Sequence, residues 1–213
     1  MPDQPHIVFI HGLYMNPLVM RPMARWFEAR GYATSAFGYK TTSESLELNI
    51  EKLCAHLDAI QSNEVYLVCH SLGGLLARAY LASSGANHAI RKVVTIGTPH
   101  QGAAIAQWMK SKKLGALLGQ SMEKGLIENR PDWEQNIPLG SIAGDGGVGF
   151  LPLIAPSAEP SDGTVSVSET HLQGETDHIV LPYSHTQLIL VTEVYEKTLN
   201  FLERGKFDSD SPR

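Results

Sequence analysis

The feature that most constrains the fold is a regular alternation between short apolar runs and longer stretches with helical periodicity. The runs, rich in valine and isoleucine, predict buried strands at residues 6–10, 32–37, 65–69, 92–96, 140–143 and 179–181. Because strands that alternate with helices are joined by crossover connections, we expect an α/β fold of about six parallel strands, with helices on both faces. Ligands of such sheets bind beyond the carboxyl ends of the strands, so the polar residues there are candidates for a functional site.

Four helices are predicted between and after these runs, at residues 17–30, from 41 to about 60, at 71–84 and at about 193–204. Glycine follows three of them, at Gly31, Gly85 and Gly205, as is typical of a helix C-terminus. The second opens on Thr41-Thr42-Ser43-Glu44, whose pattern is that of a capping box.

Composition narrows the class of protein. A chain of 213 residues, 43% hydrophobic and 18% charged, is expected to form one globular domain spanning residues 1–213. The net charge of −5 gives no electrostatic reason to bind nucleic acid. No targeting segment and no run of eighteen apolar residues is present, so we expect no membrane span and a cytoplasmic location. No sequence feature specifies an oligomeric state.

The most informative segment is an apolar strand that turns into a helix at Ser71. Small residues stand two positions before and after it, Cys69 and Gly73, as a sharp strand-to-helix turn requires. Such a turn exposes the serine hydroxyl above the sheet, which suits a nucleophile. Two alternatives are that Ser71 only caps the helix, and that Cys69 is the nucleophile; burial at a strand end argues against the second.

A second strand runs into a histidine–glycine turn at His11-Gly12-Leu13. An acyl-transfer intermediate needs two amide donors at its oxyanion, and the amides of Leu13 and Leu72 are in position to supply them. Gly12 allows close approach of the backbone. We expect His11 to orient this loop.

The base is expected in a loop beyond the last strand. His185 follows that strand, whereas His178 opens it and lies at its amino end, so position favours His185. For the acid, Asp162 and Asp145 both follow a strand and both could fix the tautomer of the base.

Together these motifs resemble the α/β-hydrolase superfamily, and within it the bacterial lipase and esterase group. They are Phe-Ile-His11-Gly12-Leu13, Cys-His70-Ser71-Leu-Gly73, Thr95-Ile-Gly-Thr-Pro-His100-Gln-Gly102, Ser161-Asp162-Gly-Thr-Val and Tyr-Ser-His185-Thr. The resemblance implies a short form of the fold and a catalytic triad in the order Ser71, Asp162 and His185. It favours Asp162 over Asp145, and it implies a supporting role for His70, Gly73 and His100. Cys69 departs from the group, which more often has glycine or alanine there.

The sequence therefore predicts a serine hydrolase that cleaves carboxylic esters through an acyl-enzyme on Ser71, acting on a small-molecule ester or a lipid-like substrate. An acyltransferase, a thioesterase or an amidase would use the same residues, and a non-catalytic binding protein of the same fold is less favoured. No metal and no organic cofactor is implied. Residues 103–137 are the candidate for a cap or lid, and the apolar part at 103–118 could instead be an ordinary crossover helix.

Overall fold

The computed structural model describes residues 4–83, 89–102, 133, 136–147 and 159–208. Its centre is a six-stranded sheet in the order β2-β1-β3-β4-β5-β6, in which every neighbouring pair is parallel. The strands are β1 (His6–Ile10), β2 (Ala33–Phe37), β3 (Val65–His70), β4 (Ile90–Ile96), β5 (Leu139–Gly144) and β6 (Asp177–Leu181). All six predicted strands are confirmed, and the fold is a short α/β-hydrolase fold.

Four α-helices lie in the described part of the chain. They are α1 (Arg21–Glu28), α2 (Leu46–Asp58), α3 (Leu72–Ala82) and α4 (Thr192–Arg204). Successive side chains of a strand point to opposite faces of the sheet, and the core divides accordingly. Val8 and Ile10 of β1 pack in one cluster with residues of α2 and α3, whereas Ile7 and Phe9 pack in another with residues of α1 and α4. Helices therefore cover both faces, as expected.

Two predicted helix boundaries are wrong. Segment 17–30 divides into a 3-10 turn, Pro17–Met20, and the helix Arg21–Glu28. Pro22 lies in the first turn of α1, and since proline has no amide hydrogen, it favours a new helix start there. The predicted end at Gly205 is confirmed, with this glycine in the left-handed conformation, whereas Gly85 lies outside the described residues.

The predicted capping box at residues 41–44 is also wrong. Helix α2 begins at Leu46, and its N-cap is Ser45, whose hydroxyl accepts a hydrogen bond from the amide of Leu48 at 3.2 Å. The Thr41 hydroxyl does not cap the helix because it takes part in a tertiary contact, in which it accepts a hydrogen bond from the amide of Tyr14 at 3.2 Å.

The carboxyl ends of the strands form one edge where the candidate residues gather. In the sheet register Ile10 lies beside Cys69, His70 beside Ile96, and Gly144 beside Leu181. The residues that follow these strands therefore meet above the same edge. No helix within the described ranges is long and apolar enough to cross a membrane. Most of the candidate lid, residues 103–132 and 134–135, lies outside those ranges.

Candidate active site

Ser71 stands between β3 and α3 with a strained backbone, at φ 52° and ψ −120°. A residue other than glycine rarely adopts such angles, and they cost on the order of 1–3 kcal/mol unless the surroundings enforce them. Here the amide of Ser71 donates to the carbonyl of Ile96 at 2.9 Å, and the hydroxyl of Thr98 donates to the carbonyl of Ser71 at 2.9 Å. The side chain of Ser71 does not cap α3, so the interpretation of this serine as a mere helix cap is wrong.

The neighbours of Ser71 are small because the turn packs against β1. A Cβ atom on Gly73 would lie 2.5 Å from the carbonyl oxygen of Ile10, a distance that no side chain tolerates. Cys69 is fully buried in the core, and this burial raises the pKa of its thiol above the usual range. The thiol is therefore protonated at neutral pH, which disfavours Cys69 as a nucleophile.

His185 and Asp162 form a hydrogen-bonded pair. The Nδ1–H of His185 donates to Oδ2 of Asp162 at 2.6 Å, and the amide of His185 donates to the carbonyl of Asp162 at 2.9 Å. The other carboxylate oxygen, Oδ1, accepts the amides of Thr164 at 2.9 Å and Val165 at 2.7 Å. With Nδ1 as the donor, Nε2 of His185 carries the lone pair that a general base needs.

The alternative acid, Asp145, and the alternative base, His178, do not take part in this pair. Asp145 is exposed, and its carboxylate makes no hydrogen bond to any residue that the structure describes. His178 lies near the amino end of β6, where its Nε2 is 2.8 Å from the hydroxyl of Thr170. The geometry thus favours Asp162 and His185.

The sequence analysis gave no role to Gly97, which lies directly after β4. Its φ is 58°, and an added Cβ would lie 3.0 Å from Nδ1 of His185 and 3.2 Å from Oδ2 of Asp162. Since Ser71 is bonded to the preceding residue, Ile96, the end of β4 contacts both the serine turn and the histidine–aspartate pair. The signal was available, because a glycine at the carboxyl end of a central strand marks close approach to a site.

His70 connects the serine turn to the histidine loop. It is fully buried, its Nε2–H donates to the carbonyl of His185 at 3.2 Å, and the two ring centroids lie 4.6 Å apart. Burial and the neighbouring His185 lower the pKa of His70 well below its usual value, so the ring is neutral. This contact gives a physical basis for the supporting role that the resemblance implied.

Ser71 Oγ makes no hydrogen bond to His185 in the described part of the chain. Catalytic hydrogen bonds are often long in the absence of substrate and shorten when it binds.

The amides of Leu13 and Leu72 have no hydrogen-bond partner among residues 4–83 or elsewhere in the described ranges. Leu72 opens helix α3, whose first amides are free of intrahelical partners and carry the positive end of the helix dipole. Gly12 brings the other loop close, since a Cβ on this residue would lie 3.0 Å from Cβ of Ser71. Two unpartnered amides thus flank the serine turn.

The loop that carries Leu13 is braced from β2. The ring of His11 stacks on Tyr39 with centroids 4.6 Å apart, and the Tyr39 hydroxyl donates to the carbonyl of His11 at 2.9 Å. Nδ1 of His11 donates to the carbonyl of Gly12 at 3.0 Å, while burial lowers the pKa of His11. The expected orienting role of His11 is consistent with these contacts. Tyr39 was missed, although it follows a predicted strand.

His100 is buried and lies in a polar network with no hydrogen bond to Ser71, Asp162 or His185. Its Nε2 is 3.1 Å from the hydroxyl of Thr95, and its carbonyl accepts from Arg78 at 3.0 Å. Burial, with a smaller contribution from Arg78, lowers the pKa of His100 to about 3. This histidine ties the loop after β4 to the core.

A parallel sheet whose central strand ends in a strained serine, beside a hydrogen-bonded pair of a histidine and a buried aspartate, is the arrangement of an α/β-hydrolase. Residues 6–132 match the model of the palmitoyl protein thioesterase family. The chain therefore belongs to the palmitoyl protein thioesterase family, within the α/β-hydrolase superfamily.

Solved structures with the same fold include three that differ in stated activity. The mature form of lipase BlEst2 from Bacillus licheniformis superposes with a TM-score of 0.77 at 22% identity, covering 97% of this chain and 94% of that one. Naproxen esterase from Bacillus subtilis gives 0.64 at 13%, with 94% and 84% covered. The Vlm2 thioesterase domain bound with a dodecadepsipeptide gives 0.62 at 14%, with 96% and 94% covered. No match is found among curated protein sequences.

Proposed function

We propose that this chain is a serine hydrolase that cleaves carboxylic esters through an acyl-enzyme on Ser71. The observation that carries the proposal is the 2.6 Å hydrogen bond between the half-buried His185 and the buried Asp162, beside a serine in a strained strand-to-helix turn. Family membership supports the broader class, a hydrolase of esters or thioesters. Strain at a residue that caps nothing is typical of functional sites.

In the proposed mechanism, Nε2 of His185 takes the proton of the Ser71 hydroxyl while Oγ attacks the substrate carbonyl carbon. The amides of Leu13 and Leu72 donate to the oxyanion of the tetrahedral intermediate. Collapse of the intermediate breaks the bond to the alcohol, which leaves with the proton from His185. Water, deprotonated by the same histidine, then attacks the acyl group on Ser71. Collapse of this second intermediate breaks the bond to Oγ, which takes the proton back from His185, and the acid is released. Asp162 holds the histidine tautomer and stabilises the imidazolium.

A matched set of variants tests the nucleophile. We expect Ser71→Ala to lose ester hydrolysis by several orders of magnitude and to lose labelling by a fluorophosphonate probe, because that probe reacts only with an activated serine. His185→Ala should lose both as well, whereas Cys69→Ala should keep both. Labelling that survives in Ser71→Ala, in a protein with unchanged circular dichroism, would show that another residue is the nucleophile.

Thioesters are the second candidate substrate class, favoured by the family match. They require the same attack by Ser71, but a thiolate is a better leaving group than an alkoxide and depends less on protonation by His185. The ratio of kcat/KM for an ester and a thioester with the same acyl group separates the two classes. A thioester preference that disappears in Ser71→Ala would assign the chain as a thioesterase.

Acyl length is the remaining part of the proposal. We propose short or medium acyl groups in monomeric substrates, with kcat/KM rising about fourfold, or about 0.8 kcal/mol, for each methylene that the pocket buries. The apolar segments 103–118 and 149–155 are the parts of the sequence left to line such a pocket, and both lie outside the described residues. A series of p-nitrophenyl esters below and above micelle formation measures this dependence. A sharp increase in rate at the solubility limit would instead indicate a lid that opens on a lipid surface.

A further inference from the structure

A group of metal-ligating side chains lies outside the candidate active site, between Asp162 and His185 along the chain. His171, Glu175 and His178 each bring one ligand atom to within 4.8 Å of the other two. His171 follows the 3-10 turn Ser168–Thr170, and His178 is the second residue of β6. The two imidazole rings face each other with centroids 3.8 Å apart.

The hydrogen bonds around His178 leave one ring nitrogen available. The hydroxyl of Thr170 donates to the carbonyl of Val167 at 2.7 Å, so toward His178 it acts as an acceptor. Nε2 of His178, at 2.8 Å, must therefore be the protonated nitrogen. The lone pair is then on Nδ1. Metal-binding histidines usually donate their other ring N–H to an acceptor in this way.

Glu175 supplies a carboxylate oxygen whose position calls for a cation. Its Oε1 accepts from Nδ1 of His171 at 2.8 Å. Its Oε2 is buried and has no hydrogen-bond partner among the described residues. Burial of an unpaired carboxylate oxygen is unfavourable unless a cation or a donor compensates it.

We propose that His171, Glu175 and His178 bind one divalent transition-metal ion, with Zn²⁺ as the best match. Two imidazoles and one carboxylate form a nitrogen–oxygen ligand set that zinc accepts, whereas Mg²⁺ and Ca²⁺ prefer oxygen alone. Zinc–ligand distances of about 2.0–2.2 Å require the ligand atoms to lie roughly 3.5 Å apart. The side chain of His171 is 53% exposed and can rotate to close this gap.

The site would be structural. All three ligands come from the eight residues 171–178, which join the 3-10 turn to the start of β6. His178 is three residues from Leu181, the last residue of β6, a distance of roughly 10 Å along a strand, and His185 follows beyond that end. The ion would fasten the outermost strand without touching the reacting atoms, which is compatible with a hydrolase chemistry that needs no metal.

Binding of Zn²⁺ to the full-length protein, freed of metal by chelator and dialysis, tests the proposal. We expect one Zn²⁺ per chain by titration calorimetry, a higher Tm with Zn²⁺, and no such response to Mg²⁺ or Ca²⁺. His171→Ala and Glu175→Gln each remove one ligand, so they should raise the Kd for Zn²⁺ at least about 10-fold. His178 is left intact because it also anchors Thr170.

Two control variants each remove a side chain of a type that can bind zinc but that lies outside the cluster. His56→Gln changes a histidine that hydrogen-bonds to Ser35, and Cys54→Ser removes a free thiol, both outside the cluster. Both should bind Zn²⁺ as the unmodified protein does. Absence of stoichiometric binding, or undiminished affinity in both His171→Ala and Glu175→Gln, would overturn the proposal.

Discussion

The candidate triad is held in place largely by backbone groups of residues that carry no chemistry. The carboxylate of Asp162 accepts two amides in addition to His185, and the carbonyl of His185 accepts from His70. Gly97 provides the surface against which the histidine–aspartate pair packs. Substitutions around the site should therefore act by moving the pair as well as by removing a functional group.

The acid can be assigned by comparing two isosteric substitutions. We expect Asp162→Asn to lower kcat by about 10⁴, because an amide at this position favours the wrong tautomer of His185. Asp145→Asn should change kcat less than about twofold, since the Asp145 carboxylate is exposed and makes no hydrogen bond to a described residue. Steady-state kinetics on a p-nitrophenyl ester measures both, and a larger loss at Asp145 would reverse the assignment.

Gly97→Ala tests whether close backbone approach positions the pair. The new methyl group would lie 3.0 Å from the His185 ring and 3.2 Å from Asp162 Oδ2, so the pair must move by a few tenths of an ångström. A full 1 Å of misplacement can cost about 10²-fold in rate, so we expect a loss of kcat below that limit. Gly205→Ala is the matched control: its φ is 77°, and its Cβ would contact nothing within 4 Å. Both variants should lose stability, but only Gly97→Ala should lose kcat. Equal kcat values in the two variants would exclude a positioning role for Gly97.

At the scale of elements, the strands and the starts of α3 and α4 were predictable, whereas the starts of α1 and α2 were not. A buried strand such as β3 can be recognised in the sequence by its continuous apolar run, which occurs because both faces of the sheet are covered. The start of α2 depends on which of several neighbouring hydroxyls is free to cap it. Thr41 is occupied by the amide of Tyr14, a residue 27 positions away, so the cap passes to Ser45. Because this competition for hydroxyl groups depends on a tertiary contact, the local sequence does not show which hydroxyl will cap the helix.

The cap of α2 can be tested by stability. Ser45→Ala should lower the free energy of unfolding by about 1 kcal/mol, because the amide of Leu48 loses its acceptor. Ser43→Ala, inside the segment that resembles a capping box, should change it by less than about 0.5 kcal/mol. Urea denaturation followed by circular dichroism gives both values, and the reverse order would restore the capping box.

Across the whole molecule, several histidines are held neutral by full or partial burial. Burial lowers the pKa of His100 to about 3 and that of His178 to about 4, and it lowers the pKa of His70 well below the usual value. The polar network from His100 runs through Thr95 to the hydroxyl of Ser141 at 3.0 Å. These rings therefore connect parts of the fold that are distant in sequence.

Stability should fall as the pH is lowered through the histidine range. In the unfolded chain these rings have pKa values of about 6.5, so below that pH they bind protons that the same rings do not bind in the folded state. Their contribution is fully present above about pH 6.5 and declines below it, by up to about 1.4 kcal/mol per pH unit for each fully buried ring. Urea unfolding at about pH 7 and pH 5 measures this slope. His100→Gln should reduce this slope by up to the contribution of one proton, about 1.4 kcal/mol per pH unit. An unfolding free energy that does not change between the two pH values would contradict burial of these rings in the neutral form.

The candidate catalytic residues were easier to recognise in the sequence than the residues that position them. Ser71, Asp162 and His185 follow strands, and the edge at which such residues meet is determined by parallel topology. Tyr39 and Gly97 occupy the same edge, but their importance depends on which neighbouring ring or carboxylate they contact. Such contacts can be predicted only when the strand order, β2-β1-β3-β4-β5-β6, is known.

That strand order has a consequence for how activity can be lost. The serine turn follows β3, which is paired on both sides, whereas His185 follows β6, which is paired only with β5. Local opening of proteins begins where fewest contacts must break, and an outermost strand is such a place. Detachment of β6 would move His185, the proposed base, away from the serine turn while the other five strands stay paired. The protein would then be inactive but still folded, so thermal inactivation would precede thermal unfolding.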